Sequence, residues 1–129
     1  MLAYIDSSFL IAVLLEEREA SSCLKILSQV KRLMSSPLLE SECRAVAKRE
    51  DLSLVDLSSR LKSIDWIFCN MSLSTELSLL FDIGYVRGAD AHHLATALWF
   101  ADGRNDELTF LSLDRDQKKM AKALKFKVI

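Results

Sequence analysis

With three glycines and one proline in 129 residues, the chain has little from which to build tight turns. That excludes a collagen-like repeat and disfavours a loop-rich all-β architecture. Basic charge is not in excess either. Seventeen Lys and Arg against 18 Asp and Glu leave a net charge of −1, which is not the composition of a protein that coats nucleic acid through its overall charge. A nucleic-acid partner has to be held by a local basic patch. Long apolar runs are missing as well: the longest near the start, Phe9 to Leu15, falls far short of the ~20 residues of a membrane-spanning helix. The first basic residue, Arg18, comes too late for the charged start of a secretory signal, so a cytoplasmic location and no membrane partner are expected. Cys23, Cys43 and Cys69 are odd in number and widely spaced, which matches neither a disulfide framework nor a Cys-x-x-Cys metal knuckle. They read as reduced, mostly buried fillers.

What the chain does have is core material. Half its residues are hydrophobic and 27% are charged, enough for one compact domain over residues 1–129. Apolar runs of strand length alternate with segments of helical period, the pattern of βαβ units around a parallel sheet. Strands are expected at Leu2 to Ile5, Arg32 to Ser35, Trp66 to Cys69, Leu108 to Leu113 and Phe126 to Ile129. Helices are expected at about Ser8 to Leu15, Glu17 to Lys31, Pro37 to Arg49, around Leu54 to Leu61, and at Ser72 to Ile83, Asp90 to Ala101 and Asp114 to Leu124.

Four acids stand out against this framework. Asp6 and Asp114 each follow a strand and precede a helix. Ligands of open parallel sheets bind outside the carboxyl ends of the strands, so the two could share one rim, although each alone is more simply read as a helix N-cap. Asp90 heads an apolar stripe of Leu94, Ala97 and Leu98. An unpaired buried carboxylate is costly there, and both a functional role and a favourable first-turn interaction with the helix dipole remain open. On the helix after Pro37, Leu39, Cys43 and Val46 mark the inner face. Glu42 borders that face, while Glu40 points away and has Arg44 as a four-residue partner. By itself Glu42 is an ordinary boundary residue.

Taken together, Tyr4-Ile5-Asp6-Ser7-Ser8, the stretch from Ser36-Pro37 to Glu42, Asp90-Ala91-His92-His93-Leu94-Ala95-Thr96-Ala97 and Leu111-Ser112-Leu113-Asp114 resemble the four motif blocks of the PIN-domain nucleases. Their order, spacing and total length are similar to those of VapC-type toxin ribonucleases of toxin–antitoxin pairs. The resemblance implies a three-layer α/β/α fold with a central, mostly parallel sheet of four to five strands. It also implies a metal-dependent endoribonuclease acting on RNA, a cognate antitoxin partner and a homodimer. By motif position the catalytic acids are Asp6, Glu42, Asp90 and Asp114, with Ser8 and Ser112 as the small hydroxyl residues beside the first and last. Asp116 falls where some members carry a further polar group, and His93 matches a frequent family histidine whose role as a helix residue is packing or hydrogen bonding. Ser112 departs from the commoner Thr.

Four converging carboxylates raise one another's pKa unless a cation compensates. All-oxygen ligands suit Mg²⁺ or Mn²⁺. His92 and His93 are adjacent, so a helix points them ~100° apart and they cannot readily chelate one ion. Asp6, Asp90 and Asp114 are the expected metal ligands, and Glu42 is expected to orient or deprotonate the attacking water. Arg87 and the lysines from Lys118 to Lys127 are candidates for backbone contact. The alternative is a non-catalytic PIN-fold module that binds protein or RNA. A receiver-type phosphoacceptor fits poorly, because Ser7 rather than a second acid follows Asp6.

Overall fold

The computed structural model describes residues 1–129. Five strands, β1 (Leu2–Ile5), β2 (Arg32–Ser35), β3 (Ile64–Trp66), β4 (Thr109–Leu111) and β5 (Lys127–Val128), form one sheet in the order β3-β2-β1-β4-β5. Every pairing is parallel. Parallel neighbours need crossover connections, and helices supply them. α1 (Ser7–Leu14) and α2 (Ala20–Leu27) join β1 to β2, α3 (Leu38–Arg49) and α4 (Leu54–Leu61) join β2 to β3, α5 (Ser74–Ile83) and α6 (Gly88–Ala101) join β3 to β4, and α7 (Arg115–Ala123) joins β4 to β5.

The helices cover both faces, giving the three-layer α/β/α arrangement expected from the sequence. Successive strand residues face opposite sides, and each side of β1 enters a different core. Ala3 and Ile5 pack with Phe9, Leu10, Leu39, Cys43 and Leu57, whereas Tyr4 packs with Met34, Phe110, Leu94 and Met120. In the second core Tyr4 stacks on Phe110 with ring centroids 5.3 Å apart, and Phe110 meets Phe126 at 5.9 Å. A parallel sheet buried on both faces explains why its strands read as apolar runs without alternation. Phe9, Leu10 and Val13 are buried in the first core, so α1 spends its apolar face internally.

α6 is buried without interruption from His93 to Leu98, since it lies against the sheet and is flanked by α5 and α7. It ends where Asp102 takes φ 47° and Gly103 φ 85°. Two successive left-handed residues stop a helix, and glycine adopts the second without steric cost.

Two expectations are corrected. The third strand is Ile64–Trp66, not Trp66 to Cys69. Its ladder with β2 extends only to the Ile67 N–H, which donates to Ser35 O at 2.9 Å, after which Phe68 turns into solvent. The second helix is Ala20–Leu27, shorter than Glu17 to Lys31 at both ends. No helix is long and apolar enough to cross a membrane. All three cysteines are free, two of them buried, and burial raises their thiol pKa values.

The strand order fixes where a ligand can bind. From β1 the chain moves outward through β2 to β3, then crosses to β4 on the other side. The order of strand addition reverses between β1 and β4, and a crevice opens at such a switch point outside the carboxyl ends of the strands.

Candidate active site

Asp6 follows β1 at this switch point and caps α1. Its Oδ1 accepts from Ser8 Oγ at 2.8 Å and from the Phe9 N–H at 3.3 Å, and its Oδ2 faces Ser112 Oγ at 3.0 Å. The capping role read from the sequence is therefore real. At 1% exposure the carboxyl is more deeply buried than a cap requires. Desolvation drives its pKa from 3.8 up to about 6, against the opposing hydrogen bonds from Ser8, the Phe9 N–H and Ser112.

Asp114 lies three residues beyond the end of β4 and, like Asp6, caps the helix that follows. It caps α7 through Oδ1, which accepts from the Gln117 N–H at 2.8 Å. Ser112 links the two strand ends. Its Oγ accepts from the Asp114 N–H at 3.0 Å, stands 3.3 Å from Ser8 Oγ, and lies 3.0 Å from both Asp6 Oδ2 and Gln117 Oε1. One hydroxyl proton serves either of these last two acceptors. Gln117, fully buried, also reaches Asp90 O through Nε2 at 3.4 Å.

Asp90 lies in the first turn of α6 with its side chain 13% exposed. Arg87, just before the helix, binds it through Nε at 3.1 Å and reaches Asp114 Oδ2 through Nη2 at 3.4 Å. One guanidinium thus bridges carboxylates from two different elements. Burial raises the pKa of Asp90, Arg87 pulls it down, and Asp114 and Glu42 push it up. The acids therefore share one field.

Glu42 comes to the rim from α3 and its Oε1 stands 2.6 Å from His93 Nε2. His93 is fully buried, with Nδ1 2.7 Å from Tyr4 Oη. Glu40, by contrast, pairs with Arg44 at 2.6 Å on the outer face of α3, as its spacing implies.

All four predicted acids thus meet at one rim. Their donor chemistry fits a hard divalent cation: every available group is a carboxylate oxygen, the acids repel one another, and two of them already share a cation in Arg87. In this arrangement no group of three or more Asp, Glu, His or Cys side chains is drawn close enough to hold a metal ion. The donors fit in kind, with Arg87 supplying the positive charge. A cleft of about 640 Å³ lies elsewhere, between the start of α5 and the far end of α6 at Thr75, Glu76 and Trp99, away from the acids.

A sequence model of the PIN domain matches residues 3–123. The chain belongs to the PIN-domain family. PIN domains are typically nucleases and generally use divalent metal ions. Among curated proteins none matches this chain.

Two contributors to this PIN-domain site, Gln117 and Tyr4, are not singled out by the sequence reading, and a third, Arg87, is given another role. Gln117 stands three residues after the Asp114 cap, the spacing of a capping box, and that signal was available. Arg87 appears there only as a candidate for backbone contact, although its three-residue step to Asp90 announces an ion pair. Tyr4 reads as a plain strand residue, and nothing in the sequence links it to His93, 89 positions away. Asp116 is exposed in the first turn of α7.

Proposed function

We propose that this PIN-domain chain is a Mg²⁺- or Mn²⁺-dependent endoribonuclease and the toxin component of a type II toxin–antitoxin pair. The observation that carries the catalytic reading is the bridge from Arg87 to Asp90 and Asp114, beside the buried Asp6: carboxylates from separate elements already demand a cation at the switch point. Asp6, Asp90 and Asp114 are the residues that would hold the metal. When bound, it compensates the charge of the scissile phosphate and makes water a better nucleophile.

The remaining work falls to the chain. Ser8 and Ser112 fix both oxygens of Asp6, so that carboxylate needs little reorganisation. Glu42, with 27% of its side chain exposed, takes a proton from the attacking water. Water oxygen bonds to phosphorus, the ester bond to the leaving oxygen breaks, and that oxygen leaves with a proton from solvent. Acids alone would repel the substrate, so exposed Arg87, Lys119 and Lys122 supply affinity for the phosphate backbone.

The toxin assignment draws on motif order, spacing and chain length similar to those of the VapC-type ribonucleases. An antitoxin and a second toxin copy are the implied partners. Exposed large apolar side chains support protein contacts: Phe68, Met71, Phe81 and Tyr85 near α5, and Leu54 and Val55 on α4.

The deciding experiment incubates the chain with total cellular RNA and Mg²⁺ or Mn²⁺, then maps new ends. Cleavage that a chelator stops and Asp6→Ala abolishes is expected. Equal cleavage by wild type and Asp6→Ala rejects the site, and metal-independent RNA binding without cleavage favours the non-catalytic module.

A further inference from the structure

We infer that His93 is a positioning residue for Glu42, the last donor of a one-way hydrogen-bond relay that starts at the Ser36 backbone and passes through Tyr4. The activity arm of its test rests on the nuclease reading above, but the geometry does not.

Three distances define the relay. The Ser36 N–H donates to Tyr4 Oη at 3.2 Å, Tyr4 Oη stands 2.7 Å from His93 Nδ1, and His93 Nε2 stands 2.6 Å from Glu42 Oε1. With a neutral imidazole, acceptor chemistry sets the direction. An ionised carboxylate only accepts, so Nε2 carries the ring proton. The neutral ring then offers a lone pair at Nδ1, and Tyr4 must donate to it. Tyr4 oxygen is left free to accept, which it does from Ser36. Every proton points toward Glu42.

A packing role does not account for this arrangement. Tyr4 and His93 are both fully buried, on a strand and a helix whose other buried residues include Ala3, Ile5, Leu94, Ala95 and Ala97. Buried polar groups in such surroundings are costly unless satisfied, and an apolar side chain fills the same volume without that cost. Here each is satisfied, and the series ends on a rim acid. Glu42 is the acid that most needs help. Asp6 and Asp114 are held by their own helix caps and Asp90 by Arg87, whereas His93 makes the one side-chain hydrogen bond of Glu42. Held at both nitrogens, the ring cannot turn over without giving up both partners.

The test uses the full chain with His93→Gln, His93→Asn and His93→Phe. The amide N–H₂ of Gln reaches the position of Nε2, whereas that of Asn reaches only the position of Nδ1. Cleavage of an RNA oligonucleotide with Mn²⁺ is followed beside thermal unfolding. The Gln variant is expected to keep kcat within about threefold of wild type, and the Asn and Phe variants to lose about 10- to 100-fold in kcat with KM little changed. Equal kcat in the Gln and Asn variants, or losses that merely follow melting temperature, overturn the inference.

A second readout needs neither metal nor turnover. In metal-free protein labelled with ¹⁵N-histidine, the His93 ring is expected to show its proton on Nε2, with a resonance that moves in Glu42→Gln. A proton on Nδ1, or a signal indifferent to Glu42→Gln, rejects the relay. If wild type fails to cleave at all, the nuclease reading falls and the ring spectrum still decides the relay.

Discussion

Ser112 Oγ lies 3.0 Å from Asp6 Oδ2, joining the ends of β4 and β1 across 106 residues of sequence. The same oxygen receives the Asp114 N–H, so Ser112→Ala strips a donor from a buried carboxyl and an acceptor from a helix cap. A loss of about 1–3 kcal/mol in urea unfolding is expected, with Ser112→Thr recovering most of it. An alanine variant as stable as wild type contradicts the hub.

Burial of Asp6 makes stability depend on pH. Its folded pKa of about 6 lies above the ordinary 3.8, so the folded protein holds this proton more tightly than the unfolded chain. The stabilisation is fully present below about pH 3.8 and is lost as pH rises through about 6. The difference corresponds to about 3 kcal/mol. In chelator, wild type is expected to lose stability relative to Asp6→Asn by an amount of this order between pH 4 and 7. A difference that stays flat across this range contradicts it.

Arg87 occupies the charge position between Asp90 and Asp114. Arg87→Gln is expected to cost metal-free stability less than about 1 kcal/mol, because the guanidinium is 70% exposed. It is also expected to tighten Mn²⁺ binding severalfold in calorimetric titration, since a competing cation is gone. Weaker Mn²⁺ binding in the variant shows instead that Arg87 organises the acids for the metal.

Reversal of charge at Lys119 and Lys122, both exposed on α7, is expected to weaken binding of a single-stranded RNA oligonucleotide and flatten its salt dependence. The slope of log K against log salt should fall by roughly 0.7 for each phosphate that the variant no longer neutralises. An unchanged slope assigns these lysines to a solvated surface.

The framework was legible because β1 and β4 sit at the centre of the sheet, where burial on both faces leaves an apolar run ending in an acid. β3 was misplaced because it is an edge strand. Asp65 there faces solvent and pairs with Arg32 at 2.7 Å, while the adjacent apolar Phe68, which drew the reading two residues on, is exposed. The acids were legible by position, and the coupling between them was not. The hydrogen bonds from Arg87 to Asp114, Ser112 to Asp6 and Tyr4 to His93 span 27, 106 and 89 residues, and local periodicity carries no trace of such pairs.

The neighbouring placement of β1 and β4 has a consequence during synthesis. Asp6 leaves the ribosome well before Ser112 and Asp114, which follow it after helices α1 to α6 have been made. A nascent chain that stops short of Ser112 and Asp114 lacks the second wall of the crevice, so the site is completed late in synthesis.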